Sequence, residues 1–330
     1  MTDLKKHPII FLLLNLFVIL GMHAQENILY YGSPSECGID STYIYTKVDS
    51  IITNGIKNQA FPSAQVLVAK NSKIIFHKAY GFHTYDSIQP AALNDLYDLA
   101  SVTKILGPLP AIMKLVDEGK LDLDKSFSTY WKPWKKRKDK KDITLREILA
   151  HQAGLQPYIV FLNDVLKKNG ETKNRFVKNR SNKRFSQEAY SNIFIKNRFN
   201  RKMYRKINRS KVSQDKKYLY SGLTFLIFPQ LIEQITGEDY EVYLQKTFYK
   251  PIGASTLGFN PKLRNYSNNI VPTEVDTLFR HALTQGWVHD ENAALLRGIS
   301  GNAGLFGTAE DAAKMMQFYM NFGSNSNQQI

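Results

Sequence analysis

Only one cysteine, Cys37, stands in the 330 residues, so no intrachain disulfide can form and no paired-cysteine metal or redox site exists. The seven histidines are scattered, and no pair shows metal-ligand spacing with cysteine or carboxylate partners. His151 and His289 therefore read as hydrogen-bonded structural histidines, and neither a metal nor a cofactor is expected. Internal repeats are lacking. Past the first two dozen residues there is also no apolar run near the ~20 residues a spanning helix needs.

Acidic residues are sparse as well: 29 Asp and Glu face 44 Lys and Arg, a formal net charge of +15. A surplus of that size first suggests nucleic acid. Its distribution argues otherwise, because residues 165–217 hold 18 Lys or Arg against Glu171, Glu188 and Asp215. The remainder is near neutral.

At the N-terminus, Lys5, Lys6 and His7 precede an apolar run from Ile9 to Leu20, and the stretch Gly21-Met22-His23-Ala24 supplies small residues before Gln25. The run is short for a membrane anchor, so residues 1–24 read as a secretory signal cleaved after Ala24. Residues 25–330 then form a single exported domain, periplasmic or extracellular. In that setting nucleic acid is an unsuitable partner for the basic segment. An anionic cell-envelope polymer or membrane surface suits it better.

The chain is 43% hydrophobic and 12% aromatic, enough for a large core. Ser41 to Lys57 has helical spacing, with Tyr43, Val48, Ile51, Ile52 and Ile56 on an expected buried stripe. Two β-branched runs, from Ala64 to Lys70 and from Ile74 to Gly81, flank a polar turn and predict an antiparallel hairpin. Tyr97 to Gly119 predicts a helix that Gly107, Pro108 and Pro110 should interrupt. Thr144 to His151 has a capping-box start and a stop expected at Gly154. Helices are also expected over Ser221 to Ile235, Tyr240 to Phe248 and Ala309 to Phe322. Phe176, Phe185, Tyr190, Phe194, Phe199 and Tyr204 interleave with the charges of the basic segment, more aromatics than a solvated disordered loop carries. That favours a partly ordered insertion walling the cleft, against a merely solvated basic face.

Ser101-Val102-Thr103-Lys104 carries the chemistry. A serine hydroxyl needs a base within hydrogen-bond reach and donors for the oxyanion. Residues i and i+3 share a helix face, and a lysine in an apolar pocket can serve as that base. Alone, such a pair is usually an exposed helix start. The apolar approach from Tyr97 to Ala100 raises its significance, and Tyr220 is a candidate proton shuttle to the leaving group.

Asp98 to Lys104, followed by Lys114 to Leu121, resembles the nucleophile helix of the beta-lactamase-related serine hydrolases, the group of class C beta-lactamases, DD-peptidases and related esterases. Four further stretches match in the family's order. They are Lys78 to Gly81, Ile148 to Leu155, Tyr220-Ser221 with Ile235 to Gly237, and Gly304 to Ala309. The resemblance spans roughly Phe61 to Phe322. It implies an α/β (α+β) fold of the beta-lactamase/transpeptidase type, with an antiparallel sheet flanked by helices plus a mostly helical subdomain. It also implies an acyl-enzyme on Ser101 with Lys104 and Tyr220 moving protons, the Ser101 N–H as one oxyanion donor, and Ser221 and Gly222 at the substrate. The acyl donor would be a peptide, lactam or ester.

Two departures stand out. Gly222 occupies the place where the family usually has Asn or Asp, and no Lys-Thr-Gly or His-Thr-Gly triplet follows Tyr220. On that resemblance the chain reads as lacking its C-terminal strands. The same departures support a second reading, a catalytically weak or inactive binding protein on the same scaffold.

Overall fold

The computed structural model describes residues 28–264, 266, 270–325 and 328–329. The expected signal segment, 1–24, lies outside them. No described helix is long and apolar enough to cross a membrane.

Strand β1 (Tyr30–Tyr31) runs parallel to β3 (Lys73–Gly81), which pairs antiparallel with β2 (Ser63–Lys70). The β2–β3 turn is made by Asn71 (φ 52°) and Ser72 (φ 60°). Two successive left-handed residues give the twist a two-residue hairpin needs. Helix α1 (Ser41–Lys57) is N-capped by Asp40, which accepts from the Tyr43 N–H at 2.7 Å, and packs on β3. The expected stripe is corrected in part. Val48, Ile52 and Ile56, spaced by four, are partly covered, whereas Tyr43 and Ile51 are 63% and 67% exposed. The latter two lie on the neighbouring ridge, turned away from the sheet.

After β4 (Tyr97–Asp98) the chain makes a tight turn into α2 (Thr103–Leu106), then restarts as α3 (Pro108–Asp117). The predicted interruption falls at Gly107, with Pro108 in the first turn of α3, where its missing N–H leaves no bond unmade. Close approach also requires that glycine, since a Cβ there would lie 2.7 Å from the Tyr240 hydroxyl and 2.9 Å from the Thr103 carbonyl.

Helix α4 (Leu145–Leu149) has a complete capping box. The Thr144 hydroxyl accepts the Glu147 N–H, and the Glu147 carboxylate accepts the Thr144 N–H. Thr144→Ala is expected to lower unfolding stability by about 1 kcal/mol, measurable as a shifted urea midpoint with unchanged slope. The helix ends earlier than predicted: His151, at φ 56°, makes the left-handed turn. Gly154 instead serves a later turn, where its carbonyl accepts the Ser213 N–H.

The basic segment is folded rather than partly ordered. It follows α5 (Leu162–Val165) and builds an antiparallel sheet from β5 (Val177–Lys178), β6 (Gln187–Tyr190) and β7 (Ile193–Ile195), in the order β5-β7-β6. Helix α6 (Phe199–Arg209) completes it. Phe199, Met203 and Ile207 recur every four residues and are buried in the main core, which gives α6 one apolar and one basic face.

Next come α7 (Phe228–Thr236) and α8 (Tyr240–Leu244). The helix expected from Ser221 begins only at Phe228, because residues 223–227 form turns. Strands β8 (Gly258–Phe259), β9 (Glu274–Asp276) and β10 (Ala282–Thr284) precede α9 (Glu291–Ala294), β11 (Leu305–Gly307) and α10 (Ala309–Met320). The central strand of the site is β11, antiparallel to both β4 and β8. The whole is an α/β fold of helices on small sheets.

Candidate active site

The Ser101 turn is held from both sides. Asp98 ends β4, and its carboxylate accepts the Ala100 N–H at 2.8 Å and the His289 N–H at 2.7 Å. Those bonds pin Ala100 at φ 44°, a left-handed conformation that strains a residue bearing a Cβ. Burial pushes the Asp98 carboxyl pKa up despite the two backbone donors. On the other side, the Leu99 N–H donates to the Leu305 carbonyl at 2.9 Å and the Leu305 N–H to the Thr103 hydroxyl at 3.1 Å.

Ser101 is exposed at the start of this turn, while Lys104 is buried at 6% exposure. The Lys104 ammonium donates to the Ser101 hydroxyl oxygen at 2.9 Å and to the Asn302 carbonyl at 2.9 Å. It lies 5.1 Å from the Tyr220 ring centre and 5.6 Å from that of Phe225. The ammonium is thus ringed by a carbonyl, two aromatic faces and the serine. The Ser101 N–H has no acceptor among the described residues, so it is available to a developing oxyanion.

The three residues singled out for catalysis, Ser101, Lys104 and Tyr220, therefore converge. Ser221 does not take the expected substrate position. It is buried, its hydroxyl donates to the Gln156 carbonyl at 2.6 Å, and its N–H donates to His151 Nδ1 at 3.2 Å. Its hydroxyl and amide hold the loop that presents Tyr220. Gly222 borders open space, since a Cβ there would meet only the Asn302 Cβ at 3.9 Å. The position has room for the side chain the family usually carries.

Three contributors were not legible as site residues. The Asn302 carbonyl is a backbone group on a distant loop, and its Oδ1 accepts the Ser300 hydroxyl at 2.7 Å. Asp98 read only as part of the approach to Ser101. His151, read as structural, packs its ring 4.6 Å from that of Tyr220. Its proximity to the matched Tyr220-Ser221 pair had no signature in spacing, as the two lie about 70 residues apart.

Burial and then the Lys104 charge push the His151 pKa below its ordinary value of 6.5. On acidification the unfolded chain takes up this proton first, so stability present above about 6.5 is lost as the pH falls through the lower folded-state pKa. Protonation would also place a second cation beside Lys104 and remove the acceptor of the Ser221 N–H. Thermal midpoints recorded from about pH 8 to 5 should fall on the acid side in the wild type and fall less in His151→Asn.

A beta-lactamase family model matches residues 48–329. Proteins of Salmonella agona and Salmonella typhimurium, each named "Putative D-alanyl-D-alanine carboxypeptidase", are 30% identical over 335 aligned positions, which cover 94% of this chain and 72% of theirs. The octameric penicillin-binding protein homologue from Pyrococcus abyssi superposes with a TM-score of 0.62 at 20% identity, over 85% of this chain and 57% of that one. A class C beta-lactamase from Rhodobacter sphaeroides does so at 0.56 and 14%, over 84% and 66%. These structural likenesses establish a beta-lactamase/transpeptidase-like fold. With the family match over most of its length and relatives at 30% identity, the chain belongs to the beta-lactamase family.

Proposed function

We propose that the chain is a serine hydrolase that acylates Ser101 with a D-amino-acid peptide, a lactam or an ester. The observation that carries this reading is the 2.9 Å contact between the exposed Ser101 hydroxyl and the buried Lys104 nitrogen. In its amine form Lys104 accepts the hydroxyl proton across that contact as the Ser101 oxygen attacks the carbonyl carbon. The oxyanion is met by the Ser101 N–H. Tyr220, beside Lys104, relays the proton to the departing nitrogen or oxygen, whose bond to the acyl carbon breaks. Water then attacks the Ser101 ester, gives one proton to this relay and releases the acid, and the relay returns a proton to the Ser101 oxygen. The names of the Salmonella relatives favour a D-alanyl-D-alanine peptide as acyl donor.

The test is intact-mass spectrometry after incubation with a fluorophosphonate or a labelled penicillin. One adduct per chain, mapped to the peptide containing Ser101, is expected. Folded protein that acquires no adduct from either probe and turns over neither D-alanyl peptides nor esters would instead support a non-catalytic binding protein on this scaffold.

A further inference from the structure

The basic face of α6 lines a groove away from Ser101. Arg201, Arg205 and Arg209 follow one another every four residues, which places them about 6 Å apart along the axis. With Arg137 they border a groove of about 430 Å³ between the helix and the Trp131 loop. An adjoining cavity of about 340 Å³ shares Arg201 and adds Arg198. Neither is lined by any carboxylate. The neighbouring lysines of the same helix are arranged differently. Lys202 and Lys206 both pair with Asp164, at 3.1 and 2.6 Å. Arg137 pairs with Asp139 at 3.3 Å. Among the described residues Arg201, Arg205 and Arg209 have no carboxylate within 4.0 Å, so the segment's charge is neutralised on one face and left open on the other.

A second feature points the same way. The Asn208 Oδ1 accepts the indole N–H of Trp131 at 2.8 Å and that of Trp134 at 2.9 Å. Two donors on one oxygen fix the orientation of the amide. Its NH₂ group, on the groove lining, has no acceptor among the described residues. An oriented neutral donor beside three unpaired guanidiniums is complementary to an anionic oxygen. The floor is rigid: Trp131 and Tyr204 meet edge to face at 5.8 Å, and Lys140 reaches under the end of α6 to the Ser210 carbonyl.

We propose that this groove binds a linear polyol-phosphate polymer, a phosphodiester chain that carries no bases, through its backbone charges. A row of guanidiniums in single file matches successive phosphates along one chain, each able to accept a bidentate pair. A bilayer surface fits less well, because the one exposed apolar side chain of the lining is the short ring of Pro133, with no long apolar side chain to enter it. Nucleic acid fits less well too. Trp131 is 5% exposed, so its ring is no open platform on which bases stack.

The test uses the full chain and synthetic poly(glycerol phosphate), with affinity measured by calorimetry over a salt series. The triple variant Arg201→Gln/Arg205→Gln/Arg209→Gln should weaken binding at least about tenfold and reduce the slope of log affinity against log salt by about 2. A charge-matched control, Lys168→Gln/Lys183→Gln/Lys196→Gln, should change it far less. Asn208→Asp keeps the oxygen that serves both indoles and replaces the donors with an acceptor. It should weaken binding while circular dichroism and the thermal midpoint hold. Equal losses in the two triple variants, or no binding by the wild type at low salt, would overturn the proposal. So would tighter binding of oligothymidylate, or of phosphatidylglycerol vesicles with the same arginine dependence.

Discussion

Ser101→Ala is expected to lower kcat for ester or D-alanyl peptide hydrolysis by roughly 10⁴- to 10⁶-fold and to abolish the covalent adduct. The Ser101 oxygen is the only atom that can form the acyl bond in the proposed sequence, and removing it leaves the Ser101-position N–H and the rest of the cleft in place. Residual turnover from binding and the oxyanion donor is the expected remainder. The side chain is exposed and supports no packing, so the thermal midpoint should scarcely move. Removal of the hydroxyl also deletes an acceptor of the Lys104 ammonium, which keeps the Asn302 carbonyl. Wild-type turnover by purified Ser101→Ala would eliminate the serine mechanism.

The second large effect is expected from Lys104→Met. Methionine has a similar reach and no proton to move, so acylation should slow by ~10²–10⁴. Truncating the charge also leaves the buried Asn302 carbonyl without its donor, at a stability cost of about 1–3 kcal/mol. The two consequences separate in the readout. Rates of adduct formation, followed below the variant's melting range, report the lost base, and chemical denaturation reports the unpaired carbonyl. If the adduct formed at the wild-type rate in folded Lys104→Met, a different base would have to serve Ser101.

Much of this arrangement could be read from local chemistry. Asn71-Ser72 between β-branched runs specified the hairpin, Pro108 after Gly107 specified the break in the helix that follows Ser101, and Thr144 with Glu147 specified a cap. Each signal depends on residues within a few positions of one another. Ser101 and Lys104 were legible for the same reason. The contacts that complete the site were not. Strands β4, β8 and β11 are two or three residues long, too short to show an alternating pattern. Asn302 acts through its carbonyl, which every residue possesses. Ser221 was drawn to the substrate by its neighbour Tyr220, but it is buried and its hydroxyl donates to the Gln156 carbonyl. In the basic segment, Phe199, Met203 and Ile207 recur every four residues along one helical face, which the sequence reading did not pick out. The high density of charge around it masked that pattern.

The bond between Lys104 and Asn302 spans 198 residues, and that between Leu305 and Thr103 spans 202. This separation orders events during synthesis. At ribosomal elongation rates the partners emerge about 10–40 s apart. For that interval the Ser101 turn has no β11 to pair with, and only the local Asp98 bond is there to hold Ala100 in its left-handed conformation. The growing chain therefore carries the Ser101 and Lys104 side chains without the constraint that aligns them. On the mechanism proposed for Ser101, acylating competence is expected only once the segment around Asn302 has docked, so the acquisition of covalent labelling would report that docking step.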